Sequence, residues 1–163
     1  MDNAQAEYLV DRYADLLLRI GRTWLGDLDD AKDICQIVLI KLLENPRFFP
    51  DEGQERAWVV RIAVNECKNW KKSAWFRRRA PLDEGLTLAV ENPEPEENSL
   101  LEQVMNLPAK YRQVIFLRYY EGYEVREIAE TLGKSPALVS THLKRGKEKL
   151  KKMLGGTEYA RGF

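Results

Sequence analysis

Residues 81–99, PLDEGLTLAVENPEPEENS, hold three prolines and six acidic side chains and no basic one. Proline lacks the amide proton that a helix interior needs, and like charges push the backbone apart, so this stretch joins structured blocks rather than entering one. A chain of 163 residues is thereby cut into two parts, each large enough for one small core. The boundaries that follow are a first domain over residues 1–79, an acidic linker over 80–98 and a second domain over 99–155. The closing residues 156–163 read as a frayed tail.

Both flanking blocks carry the helical period. Leu9, Tyr13, Leu16, Leu17, Ile20 and Trp24 recur along one face of a first helix. Asp29 and Asp30 supply an N-cap and first turn for a second, which carries Ile34, Ile37, Val38 and Leu42 and ends at Asn45-Pro46. A third runs from about Glu55 to Trp70 or beyond. After the linker come a short helix at Leu100–Met105, a helix over Ala109–Glu121 stopped by Gly122, and two more at about Val125–Leu132 and Pro136–Leu154. The expected fold is all-α: two small helical domains joined by an acidic, proline-containing flexible linker, the second domain with a helix-turn-helix.

The formal net charge of zero hides a division. Residues 1–80 carry 14 basic and 13 acidic side chains, 81–99 only the six acids, and 100–163 carry 12 basic and seven acidic. A basic C-terminal block suits a polyanionic partner. No apolar run is long enough to span a bilayer, and the polar start MDNAQAEY is no signal peptide, so a cytoplasmic location is expected. Cys35 and Cys67 sit within helical apolar patterns and read as buried thiols rather than a disulfide or redox pair. One histidine and no CxxC leave no metal site to expect, and no cofactor.

The segment EVREIAETLGKSPALVSTHLKRGKEKL has the form of a helix-turn-helix. Ala129 is small where two helices must cross, Gly133 can take the positive φ of a tight turn, and Ser135 caps a new helix with Pro136 at its first position. Ile128, Leu132, Val139 and Leu143 supply the contacts between the helices. The last helix sets Val139, Leu143, Gly146, Leu150 and Leu154 on one face and Ser140, Thr141, Lys144, Arg145, Lys147 and Lys151 on the other. Such a helix fits the major groove, its N-terminal residues on base edges and its cations on phosphates. The plainer alternative is a solvated amphipathic helix in an ordinary bundle.

In the third helix Trp58, Val59, Ile62, Ala63 and Trp70 form a packing side. Arg61, Asn65, Lys68, Asn69 and Lys72 fall at i, i+4, i+7, i+8 and i+11, one polar stripe. Residues 68–79 hold six basic side chains, no acid, and Trp70, Trp75 and Phe76. Cations interleaved with aromatics and amides suit a single nucleic-acid strand, whose bases stack while its phosphates are neutralised. A solvated basic face beside core tryptophans is the plainer reading, and a membrane-surface patch a weaker one.

With these blocks in view, the sequence resembles the bacterial RNA polymerase sigma factors of the two-domain, extracytoplasmic-function group. DDAKDICQIVLIKLLEN is similar to the family's polymerase-binding helix, AWVVRIAVNECKNWKK to the helix after it, and LPAKYRQVIFLRYYEGYEVREIAETLG to the domain that reads the upstream promoter element. The matches run in the right order over nearly the whole chain apart from linker and tail. The resemblance implies a non-catalytic initiation subunit that binds core RNA polymerase, recognises and melts promoters, and starts transcription at a specific regulon. Asp33, Gln36, Ile37 and Lys41 would lie against the polymerase. Arg61, Asn65, Lys68, Asn69, Lys71 and Lys72 would handle the melted minus-ten element, and the loop over residues 47–55 would hold a base flipped from the non-template strand. Pro136, Ala137, Ser140, Thr141, His142, Lys144, Arg145 and Lys147 would read the minus-thirty-five element as duplex, with His142 a base or phosphate contact or simply exposed. An anti-sigma factor is a further expected partner, and a small-molecule substrate is not. Ile37 stands where the family has a glutamate, His142 where arginine is common and Ser140 where lysine is frequent.

Three rival readings remain on the residues alone. A regulator that binds duplex DNA without polymerase would share the helix-turn-helix but has no use for the second helix or the single-strand stripe. An enzyme lacks its usual marks, since no GxxxxGK[ST], GxGxxG or nucleophile elbow occurs. A helical adaptor without a nucleic-acid role leaves two different basic clusters unused.

Overall fold

The computed structural model describes residues 3–77 and 100–155. The chain divides into two compact units, residues 1–93 and 94–163, and the described residues of both are helical, with no strand among them. The expected acidic linker and tail fall outside the described residues.

In the first unit α1 (Asn3–Leu25), α2 (Leu28–Glu44) and α3 (Glu52–Arg77) pack on one another. The stripe Leu9, Tyr13, Leu16, Leu17, Ile20 and Trp24 is buried, and it meets Ile34, Cys35, Val38, Leu39 and Leu42 of α2 and Val59, Val60, Ala63, Val64 and Cys67 of α3. Each large apolar side chain removed from water here is worth roughly 1.5–3 kcal/mol. Gly21 lets α1 and α2 close up: a Cβ on it would lie 2.6 Å from the Ala31 Cα. Gly26, at φ 76°, ends α1. The N-cap of α2 is Asp27, two residues before the expected Asp29: its carboxylate accepts the Asp29 N–H at 2.8 Å. Asp29 and Asp30 occupy the first turn instead, where their charge meets the positive helix end.

In the second unit α4 (Leu100–Met105) leads to Pro108 and α5 (Ala109–Ile115). The helix expected to run straight to Glu121 instead widens into a π-turn over Phe116–Tyr120, with the Glu121 N–H reaching back five residues to the Phe116 carbonyl at 3.2 Å. The Phe116 and Tyr120 rings stack at 5.8 Å. The helix pair α6 (Val125–Leu132) and α7 (Pro136–Leu154) turns at Gly133, whose φ is 67°. Ser135 Oγ accepts the Leu138 N–H at 3.2 Å, with Pro136 at the helix start. Ile128, Ala129, Leu132, Val139 and Leu143 are buried between the helices, and Gly146, Leu150 and Leu154 continue the stripe. At Gly146 an added Cβ would meet the Ile115 Cδ1 at 2.8 Å.

The two close glycines separate by what they face. Gly21→Ala gains about 1 kcal/mol of helix propensity but drives a methyl into backbone, at an overpacking cost of about 1–3 kcal/mol. Urea unfolding is expected to show a net loss of up to about 2 kcal/mol for Gly21→Ala. Gly146→Ala meets the movable tip of Ile115 at 2.8 Å and the Tyr111 Cβ at 3.2 Å but no backbone atom of a neighbour, and is expected to lose less; the reverse order would show that α1 and α2 can separate freely.

Candidate nucleic-acid and polymerase interfaces

The α3 helix turns one face toward the core with α1 and a polar face outward. Its first turn is fastened by Glu55, whose Oε1 accepts the Tyr8 hydroxyl at 2.9 Å and also the hydroxyl of the fully buried Tyr13. Burial, then the hydrogen bond to Glu55, pushes the Tyr13 hydroxyl well above its ordinary range. Arg12 adds an ion pair to Glu52 at 2.6 Å and lies 3.9 Å from Glu55. Glu52–Glu55 therefore belong to the helix and its anchor. The irregular part of the expected 47–55 loop ends at Asp51, whose carboxylate accepts the Gly53 N–H at 2.8 Å.

With the helix so phased, Arg61, Asn65, Lys68, Asn69, Lys71 and Lys72 are all exposed. Trp70, expected on the packing side of the helix, is turned into the core at 8% exposure; the side chains of Trp75 and Phe76 lie outside those described. Trp58, also expected on the packing side, is instead half-buried at this surface, with the Phe49 ring 5.2 Å away and the Arg47 guanidinium 5.7 Å from its centroid. Phe48 stands almost fully in solvent at 91%. Between the end of α2, residues 45–47 and α3 lies a groove of about 600 Å³ lined by Lys41, Asn45, Pro46, Arg47, Trp58, Ile62, Asn65 and Glu66. Asn65 belongs to both the stripe and the groove.

On α2, Asp33, Gln36 and Ile37 lie half-buried on adjacent turns. Lys41, expected beside them at the polymerase, sends its ammonium to Glu66 on α3. Glu66 was not singled out from the sequence, although its spacing from Trp58 and Ile62, i+8 and i+4, places it on their side of the helix.

On α7, Pro136, Ala137, Ser140, Thr141, Lys144 and Arg145 are exposed, and Lys147 is half-buried with its ammonium 5.2 Å from the Tyr119 ring centroid. Leu138, at 41% exposure, adds an apolar side chain to the first turn that the sequence reading left out. His142 departs from the expectation of an exposed or DNA-facing residue: it is buried at 9% exposure, edge-on to Tyr111 with ring centroids 5.7 Å apart. Its position, three after Val139 and four before Gly146, lies within the buried stripe. Nδ1 is buried without a hydrogen-bond partner. Burial lowers the histidine's pKa, and the positive charges of Lys134, Lys110 and Arg145 lower it further.

Burial likewise pushes the Cys35 and Cys67 thiols up to about 12, and both are free. No group of His, Cys, Asp and Glu able to hold a metal occurs among the described residues. No helix among them is long and apolar enough to cross a membrane.

The model of Sigma-70 region 2 matches residues 9–77, and that of Sigma-70 region 4 matches residues 97–150. The chain belongs to the sigma-70 family of transcription-initiation factors, in its extracytoplasmic-function group. It is 29% identical to the ECF RNA polymerase sigma factor SigW of Bacillus subtilis (strain 168), over 90% of this chain and 87% of that relative. It is 28% identical to SigL of Mycobacterium tuberculosis (strain ATCC 25618 / H37Rv), over 83% and 80%. In fold it is similar to the sigma factor RpoE solved with the anti-sigma factor NepR from Bartonella quintana (TM-score 0.63, 16% identity, 96% of this chain and 100% of that one). CnrH, solved with the cytosolic domain of CnrY, is similar too (TM-score 0.57, 20% identity, 96% and 92%).

A histidine that the fold holds neutral couples stability to pH. The unfolded chain takes up a proton near the ordinary value of 6.5, while the folded one resists it to lower pH. His142 thus contributes stability above pH 6.5 that is lost as pH falls through its lowered value. Thermal unfolding at pH 7.5 and 5.5 is expected to show a drop for the second unit that shrinks in His142→Phe. An equal drop in both proteins would assign the pH dependence elsewhere.

Proposed function

We propose that this chain is the initiation subunit that gives core RNA polymerase its promoter choice for one regulon and opens those promoters, acting in the cytoplasm. The observation that carries the reading is the pairing of two unlike surfaces in one family member. In the first unit an exposed cationic and amide stripe runs into an aromatic-lined groove, and in the second a capped helix presents short polar side chains followed by cations. A melted strand needs the first kind of surface and a duplex groove the second.

The roles divide by element. Asp33, Gln36 and Ile37 of α2 contact the polymerase. Arg61, Asn65, Lys68, Asn69, Lys71 and Lys72 neutralise and hold the single-stranded minus-ten element, and the groove beneath residues 45–51 receives a base drawn out of the stack. Pro136, Ala137, Ser140 and Thr141 meet base edges of the minus-thirty-five element, joined by Leu138 as an apolar partner for a thymine methyl. Lys144, Arg145 and Lys147 meet its phosphates. His142 has no place in this contact set and supports the helix from behind. The division into residues 1–79, 80–98 and 99–155 puts the polymerase and single-strand surfaces in the first domain and the duplex surface in the second. Regulation by an anti-sigma factor is supported by the solved neighbour RpoE, captured with the anti-sigma factor NepR.

Transcription with purified core polymerase and fragmented DNA of the source bacterium tests the reading. New start sites sharing two spaced upstream elements are expected only when the protein is present; tight binding to intact duplex by the protein alone, without new starts, would make it a regulator instead. Lys68→Ala with Lys72→Ala is expected to impair promoter opening more than polymerase binding, and to lower the log–log salt slope of strand binding by roughly 0.7 per contact removed. Asp33→Ala with Gln36→Ala is expected to weaken polymerase association, measured by fluorescence anisotropy; an unchanged affinity would place the interface elsewhere.

A further inference from the structure

A helix lying in the major groove has phosphates on both sides of it, because a helix with its side chains is about 10–12 Å across and the groove about 12 Å wide. The flanks of such a helix therefore matter as much as its outward face. At about 100° per residue, Ala137, Thr141 and Lys144 mark the outward line of α7. Lys147 lies roughly a quarter-turn to one side of that line, with its ammonium 5.2 Å from the Tyr119 ring centroid. Arg145 and Lys149 lie roughly a quarter-turn to the other side.

This second flank gathers more positive charge than α7 itself supplies. Lys110 of α5 and Lys149 of α7 both stand over the Tyr111 ring, their ammoniums 5.1 and 5.9 Å from its centroid. The buried His142 meets the same ring edge-on, and the charges of Lys134, Lys110 and Arg145 all act on it. Cations from α5, from the turn after α6 and from α7 thus collect around one histidine–tyrosine pair, with Lys134 immediately before the cap Ser135. Lys110, Arg145 and Lys149 are exposed, and among the described residues none of the three is ion-paired with a carboxylate. Like charges collected in this way repel one another, so the fold alone gives no reason for them. An anion seated among them removes the repulsion.

We propose that Lys110, Lys134 and Lys149, together with Arg145, bind phosphates of the duplex strand along the wall of the groove opposite Lys147, so that the minus-thirty-five element is gripped from both sides. The buried Tyr111–His142 pair is the floor on which these cations stand. Lysine suits the task, since a compact ammonium on a flexible stem meets a phosphate without demanding a fixed geometry. Such contacts carry no sequence information; they set the register and orientation in which α7 meets the bases. The inference rests on the reading of α7 as the duplex-reading helix, and it adds to that contact set two residues, Lys110 and Lys134, that lie outside the helix.

The test is ethylation interference on complexes of the reconstituted holoenzyme with a promoter located by its mapped start site. Ethylating a phosphate removes its charge, so each phosphate the protein needs reads as a position at which modified DNA is excluded from the complex. The wild-type protein is expected to show interference on both strands around the minus-thirty-five element. Lys110→Gln with Lys134→Gln, which keeps polar side chains and drops both charges, is expected to lose the interference on one strand and keep it on the other. The log–log salt slope of promoter binding is expected to fall by roughly 0.9 per contact removed. Lys110→Gln alone, at an exposed position in the first turn of α5, is expected to lose part of the same interference. Lys110→Arg with Lys134→Arg retains the charges and is expected to retain both strands' interference. An unchanged pattern in the Gln variants would overturn the proposal, as would an equal loss on both strands or a fall in polymerase affinity that accounts for the whole defect. Wild-type complexes without interference at the minus-thirty-five element would overturn the reading of α7 as well.

Discussion

The grip of Tyr8 and Tyr13 on Glu55 sets the geometry of the whole first unit's outer face. A helix is a rigid rod with 100° between residues, so fixing one residue of its first turn fixes the direction of every residue after it. Glu55 turned inward toward α1 puts Val59, Val60 and Ala63 in the core and sends Arg61, Asn65 and Lys68 outward. The cost of losing this contact is high because Tyr13 is fully buried and its hydroxyl would have no water to turn to. The same anchor determines where α3 begins, and hence how few residues are left to connect it to α2.

That short connection shapes the groove. Residues 45–51 must cross from the end of α2 to Asp51 with Asn45 tied back to the Lys41 carbonyl, and this brings Arg47 and Phe49 over Trp58. The cations around the groove are of two kinds. Arg47 lies over an aromatic face and Lys41 pairs with a carboxylate inside the groove, whereas the cations of the α3 stripe stand at exposed positions along the helix. The surface is therefore not a uniform basic patch, and its sequence-reading and charge-neutralising parts occupy different residues of neighbouring turns.

Much of this was legible in the sequence, and the boundary falls where contacts become long-range. The helix-turn-helix was readable because its determinants lie within ten residues: Gly133 for the turn, Ser135 for the cap and Pro136 for the start. The polar stripe of α3 was readable from spacing alone. Glu55 was not, since its partners on α1 lie more than 40 residues away, and a glutamate near a helix start has an adequate local explanation. The Lys41–Glu66 pair was hidden for the same reason. The π-turn at Phe116–Tyr120 leaves no local mark in the sequence. His142 is a different failure, because the apolar period Val139, Leu143, Gly146 already placed it on the inner face. Its ionisable ring and cationic neighbours outweighed a phase argument that was sound.

The two cysteines have a practical consequence. Burial raises both thiols far above the neutral range and the folded helices cover them, so the reactive thiolate is scarce and shielded. The native chain is therefore close to inert toward maleimides and mild oxidants while folded. A single cysteine introduced on the exposed face of α3 or α7 can carry a fluorophore with Cys35 and Cys67 left in place, and any labelling of those two reports the opening of the first unit's core.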